Sequence, residues 1–232
     1  MKTIANQLSL CIVLCALVAT SKAQSTWKLS RDVLLTSNEI SFNQGSNGAW
    51  YFMQSSSSKH DPKTYKFLSE YSAPCNSNPI EVLIPGVDCW LNSKVDPVGN
   101  NAPLVGVNFT YHTQFSNNVG IPPRSVWMHP GYFGELAIVA WKSPITGTVT
   151  ISGFFSDIDP NCGDGIIWSV DKSTLQANQT LTTGTIANGG SPQSYSLSGI
   201  SISTGQLLYF IVDRNQEYSC DSTGVDVTIK SD

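Results

Sequence analysis

Charge is scarce in this 232-residue chain. Only 13% of its residues are Asp, Glu, Lys or Arg, against 41% hydrophobic. A long disordered chain needs the opposite balance. Bases are scarcer than acids, 13 against 17, and no basic stripe exists to neutralise phosphates, so no nucleic-acid partner is expected. Histidine occurs three times, as His60, His112 and His129, which leaves little material for a base that activates a nucleophile. There is no Gly-x-Ser-x-Gly elbow. There is no Cys-x-x-Cys pair either, which argues against a zinc site. After residue 24, no stretch holds apolar residues at helical spacing for more than two turns. None is apolar enough to cross a bilayer, which takes about 20 residues.

The first 23 residues differ from the rest. Lys2 precedes an apolar run from Leu8 to Ala19, and Ser21-Lys22-Ala23 puts small residues where a signal peptidase reads them. The pattern predicts a secretory signal peptide over 1–23 and a secreted, extracellular product starting near Gln24, with no membrane span. Losing Lys2 and Lys22 leaves 11 bases against 17 acids, a net charge of −6. Cys11 and Cys15 leave with the signal, so Cys75, Cys89, Cys162 and Cys220 remain. An even number of cysteines in an oxidising compartment reads as disulfides. Three pairings exist; Cys75–Cys89 with Cys162–Cys220 is favoured because each pair lies within one half of the chain. Closing the shorter loop contributes about 3 kcal/mol in the chain-entropy model. Two sequons, at Asn108 and Asn178, predict surface glycosylation sites.

Short β-rich runs fill the second half: Glu135–Trp141, Thr146–Phe155, Gly165–Val170, Ser194–Ile202, Gln206–Val212 and Val225–Ile229. Their alternation has period two, as in Val149, Ile151 and Phe155, and turn signals such as Asn188-Gly189-Gly190 separate them. Short strands at near-regular spacing predict an all-β fold, an antiparallel β-sandwich or jelly roll. Upstream, Trp27–Leu29 and Gly48–Met53 read as strands and Val105–Phe115 as another. Ala73–Asn101, rich in proline, reads as a long stapled loop. One sandwich over 24–232 with a decorated N-terminal half is the preferred organisation; two domains split near residue 125 is the alternative.

From Trp127 onward a run of motifs follows in order: Trp127-Met-His-Pro-Gly131, Gly134-Glu135, Ala140-Trp141, Gly147–Gly153, Asp157, Asp159-Pro160, Cys162-Gly-Asp-Gly165 and Tyr218–Asp226. This order resembles a secreted β-sandwich module of bacterial extracellular and surface-anchored proteins, similar in shape to carbohydrate-binding modules. It extends weakly upstream to Asn47-Gly48-x-Trp50. The resemblance implies a non-catalytic sandwich that binds sugar.

Three site chemistries follow from the residues. A sugar ring packs its C–H face on an aromatic. Trp90, beside Cys89 in the proline-rich loop, is the best exposed candidate; Trp127, Tyr132 and Phe133, around a Gly/Pro turn, form a second platform. Trp141 and Trp168 sit in strands and read as core. Asp157, Asp159, Asn161 and Asp164 crowd oxygen ligands into eight residues, and a Cys162–Cys220 bond would bring in Asp221 and Asp226. That set is either a calcium cage, making Ca2+ the candidate cofactor, or ordinary aspartate turn chemistry. Catalysis is poorly supplied. His129 is expected to bond a backbone carbonyl at a turn, and spacing alone does not pair Glu135 with Glu217. The leading reading is a secreted, non-catalytic binder of extracellular polysaccharide or glycan. The alternative is an extracellular-matrix or biomineral scaffold that assembles with copies of itself through open sheet edges.

Overall fold

The computed structural model describes residues 24–35, 49–77, 83–116, 119–174 and 178–232. The signal-peptide reading of 1–23 and the Asn47-Gly48 end of the family resemblance lie outside the described residues. In chain order the strands are β1 (Thr26–Lys28), β2 (Trp50–Gln54), β3 (Lys66–Phe67), β4 (Glu70–Ser72), β5 (Val87–Leu91), β6 (Leu104–Asn108), β7 (Gln114–Ser116) and β8 (Val119–Ile121). They continue as β9 (Val126–His129), β10 (Ala137–Lys142), β11 (Gly147–Asp157), β12 (Ile166–Ser173), β13 (Asn178–Ile186), β14 (Gln193–Ile202), β15 (Leu207–Arg214) and β16 (Thr223–Ser231). One short helix, α1 (Leu29–Leu35), follows β1.

The strands form an antiparallel all-β sandwich. One sheet runs β14-β11-β16-β9-β6-β5-β4, with β1 also on β16; the other runs β13-β12-β15-β10-β2-β3. β7 and β8 make a separate ribbon. The alternation read in the sequence holds: Val149, Ile151 and Phe155 are all fully buried in the core, although the register shifts between Val149 and Ile151. Aromatic rings join the sheets across that core. Phe155 stacks on Trp168 at 5.0 Å, Phe52 tilts against Trp90 at 4.6 Å, and Trp27 meets Trp141 edge-on at 5.2 Å. Such pairs add about 0.5–1.5 kcal/mol beyond the area they bury.

Two smaller apolar layers lie outside the sheets. On β9, Val126 and Met128 face the central core, so Trp127 points the other way; with Cys89, Leu91, Leu104 and Ile121 it forms a layer on the outer face of the first sheet. On the second sheet, Leu136, Ile138, Ala140, Tyr209 and Ile211 make a matching outer layer, with Tyr65 packed against it. Both disulfides join the cysteines that the sequence favoured, Cys75 to Cys89 and Cys162 to Cys220.

Two sequence readings change. The stapled loop of 73–101 contains a central strand, β5, paired with both β4 and β6. The run from Val105 is divided: β6 enters the large sheet, while Phe115 lies in the β7–β8 ribbon.

Candidate functional site

A concavity lies on the outer face of the first sheet. It has a volume of about 310 Å³ and is closed in by the outer apolar layer, the 158–162 loop and the 218–222 segment. Trp127 lies within its lining because β6 places Gly106 directly opposite in register. A side chain at Gly106 would collide with the indole at Nε1. The indole is only 4% exposed and its Nε1–H has no hydrogen-bond partner. A buried donor left unpaired costs about 1–3 kcal/mol.

Around the indole stand polar side chains: Ser77, Asn100, Ser116, Asn161 and Ser222. His129 and Tyr218 complete the wall, with their rings 4.9 Å apart. A carbonyl can only accept, so the 2.8 Å contact from His129 Nδ1 to Pro130 O is an Nδ1–H donation. That tautomer leaves Nε2 as an acceptor. Burial lowers the His129 pKa below the ordinary histidine value, so the ring is neutral at physiological pH.

Tyr218 stands between this cavity and a smaller one of about 210 Å³. Its hydroxyl donates to Asp96 Oδ2 at 2.8 Å and accepts from Asn100 Nδ2 at 3.0 Å. The second cavity is lined by Tyr132, Phe133, Val95 and Glu135 among others. Tyr132 packs on Tyr218 with ring centroids 5.4 Å apart, and Phe133 is two-thirds exposed. Glu135 Oε2 accepts from the Phe133 N–H at 2.9 Å, which fixes the turn.

The four aromatics singled out from the sequence therefore have different surroundings. Trp90 is not exposed. It is 2% accessible and packs against Phe52 and Tyr71, because β5 alternation turns Cys89 outward and Trp90 inward. Trp127 lines the larger cavity as a buried floor, while Tyr132 and Phe133 line the smaller one. Tyr218 and Asn100 were not singled out as binding residues. The available signal was an aromatic two residues before Cys220, in a loop tied down by a disulfide.

The aspartates also separate. Asp157 accepts from the Asp159 and Gly189 backbone N–H groups at 2.8 and 2.7 Å. Asp164 accepts from the Gln216 and Glu217 N–H groups at 3.1 and 3.3 Å. Asp226 lies elsewhere, bonded to Ser30 and paired with Lys28 at 3.4 Å. The second disulfide does bring Asp221 under the influence of Asp164 and Asp157. Asp221 is 1% exposed, and neither carboxyl oxygen has a partner. Burial, then repulsion from Asp164, Asp157 and Glu217, pushes it up to about 9, so it carries a proton at neutral pH. Among the described residues no group of three or more His, Cys, Asp or Glu is arranged to hold a metal ion. Of the six residues proposed for calcium, Asp157 and Asp164 are engaged by backbone N–H groups, and Asp226 bonds to Ser30 and Lys28.

Of the two sequons, Asn108 is not at the surface. It is fully buried, and its amide donates to the carbonyls of His112, Ile121 and Pro122 at 2.9–3.1 Å. Asn178 is half-buried and donates to Tyr65 Oη at 3.1 Å.

No family model and no curated protein matches the chain. Solved structures similar to it include a CBM61 module in complex with β-1,4-galactotriose, at 9% identity over 47% of this chain and 70% of that one, TM-score 0.33. Another is the C-terminal CBM6 of a marine laminarinase from Zobellia galactanivorans, at 14% identity over 51% and 91%, TM-score 0.29. A third is the K1 cleaved adhesin domain of Lys-gingipain from Porphyromonas gingivalis W83, at 12% identity over 90% and 99%, TM-score 0.35. At these identities and scores the likeness concerns the fold class alone.

Proposed function

We infer that the protein is a secreted, non-catalytic binder of extracellular carbohydrate and that the larger cavity is its site. One observation carries the reading: a single cavity brings together the Trp127 indole and a ring of amide and hydroxyl side chains. A sugar is an apolar C–H face rimmed by hydroxyls, and such a cavity offers matching surfaces in matching places. Its volume of about 310 Å³ is at the lower end of ligand pockets, which span about 300–1,000 Å³. That suits one or two sugar rings better than a long chain. The smaller cavity, with Phe133 at its rim, extends the surface past Tyr218.

The cavity lining is poor in groups that could perform catalysis. Glycoside hydrolysis needs two facing carboxyl groups, and Asp159 is the one carboxylate among the described lining residues of the larger cavity. Glu135 accepts from the Phe133 N–H. His129 donates its Nδ1–H to a backbone carbonyl. The signal-peptide pattern and two disulfides support secretion.

Retention on immobilised polysaccharides tests the reading. The folded protein is expected to be delayed on at least one matrix, and Asn100→Ala with Asn161→Ala to abolish the delay while leaving the far-UV spectrum intact. Unretarded elution from every matrix would contradict it.

A further inference from the structure

The larger cavity is electrically one-sided. Among the described residues no lysine or arginine lines it, and Asp159 is the one acid in its lining. That residue is 8% exposed and hydrogen-bonds the Asn161 side chain, itself a lining residue. Burial is the largest influence on this carboxyl and raises its pKa; the Asn161 bond opposes the rise and the neighbouring Asp157 adds to it. The acids behind the wall have the same sign: Asp96 under the Tyr218 hydroxyl, Asp157 beside Asp159, and Asp164 and Glu217 around Asp221. Two cations lie beyond this lining: Lys94 lines the smaller cavity beside Asp96, and Arg214 is turned to Tyr132 O at 2.6 Å. A cleft lined by one sign of charge focuses its field on whatever enters.

We propose that the ligand of this cavity is a saccharide bearing a protonated amine, held by the Asp159 carboxylate, and that acidic sugars are excluded. The proposal rests on the carbohydrate reading above and names the sugar class. Two needs of the lining point to it. The hydroxyl and amide side chains around Trp127 need a ligand rich in hydroxyls. The Asp159 carboxyl, bonded to Asn161, needs a positive charge that no described lining residue supplies. A uronate or sulfated sugar would meet the first need and worsen the second, because like charges in a desolvated site repel strongly. A neutral sugar would meet the first and leave the second open.

The test is a calorimetric titration of the intact protein with short glucosamine oligomers, their N-acetylated and glucose counterparts, and oligomers of a uronic acid. The amine-bearing sugars are expected to bind about tenfold more tightly than the neutral ones, the value of one charge-assisted hydrogen bond. Uronates are expected not to bind. Asp159→Asn should erase the roughly tenfold preference for amine-bearing over neutral sugars, read as the ratio of the two affinities in the same variant. If that variant fails to fold, the wild-type protein still decides: added salt should weaken the amine-bearing sugars and spare the neutral ones. Equal affinity for neutral and amine-bearing sugars would overturn the proposal and leave the carbohydrate reading intact. Preferred binding of uronates would overturn it too. No binding by any sugar would overturn both.

Discussion

Asp221 shows how one side chain can depend on its neighbours rather than on its own contacts. Both of its oxygens are buried without partners, and its pKa is pushed up to about 9. An acid whose folded pKa is raised is tolerated below its unfolded value near 4, and destabilises the fold increasingly as pH climbs towards the raised value. Asp221→Asn removes that penalty, so it should raise the melting temperature more at about pH 8 than at about pH 4. A loss of stability at the higher pH would contradict this account. So would a rise in the wild-type melting temperature on adding calcium, which would mean that the orphaned oxygens take a cation instead of a proton. The sequence correctly crowded Asp221 against Asp157 and Asp164 through the second disulfide. It could not show that backbone N–H groups engage two of the three carboxylates, since apart from the Asp159 N–H on Asp157 those donors, Gly189, Gln216 and Glu217, come from loops distant in sequence. Asn108 teaches the same lesson. A sequon reports three residues, whereas the carbonyls that surround Asn108 come from His112, Ile121 and Pro122.

Elements were legible where alternation was strong. β10, β11, β12, β15 and β16 follow the expected runs within a few residues, because one face of each packs in the central core. β13 was missed. Asn178–Ile186 is an edge strand, mostly polar, with few apolar residues to mark a face. β5 was hidden for the opposite reason: both of its faces are covered, and the prolines around it dominate the reading. The segment from Ser55 to Tyr65, polar in sequence, proves to be a strap across the outer layer of the second sheet. It is anchored by His60 Nδ1 on the buried Asp171 at 2.7 Å, by Leu136 N–H to Ser55 Oγ at 2.8 Å, and by Tyr65 packed on Tyr209 at 5.0 Å. The hydrogen bond to Asp171 raises the His60 pKa above 6.5, against the opposing effect of burial. Asp213 nearby is pushed up to about 6, chiefly by burial. The His60 contribution is complete below the ordinary imidazole value and fades as pH rises through the raised one; Asp213 also favours the acid side. Trypsin cleavage after Lys59 and Lys63 should therefore be slower at about pH 5.5 than would follow from the enzyme's own pH profile, and faster above about pH 8. In His60→Ala that difference should shrink. A strap equally protected at both pH values in the parent protein would refute the anchor.

At the scale of the whole molecule, strands from both halves of the chain share each sheet: β4, β5 and β6 lie beside β9 and β16, and β2 and β3 lie beside β10. The cavity is a product of that interleaving. Its floor comes from β9 over β6, one wall from the 158–162 loop and another from the segment bearing Tyr218 and Cys220. Sequence reasoning could find the aromatic and acidic ingredients but not their meeting place, since Asn100, Trp127, Asp159 and Tyr218 come from four separate segments. Sugar binding here should leave a mark on the one tryptophan in the cavity's lining, Trp127. Titrating oligosaccharides into 15N-labelled protein and following the indole resonances measures this directly, with Trp127→Phe assigning the signal. Binding in the cavity predicts that this resonance shifts with saturation, while those of Trp90 and Trp141 stay in place. Indole resonances that ignore every sugar, or a saturating shift confined to other tryptophans, would contradict it.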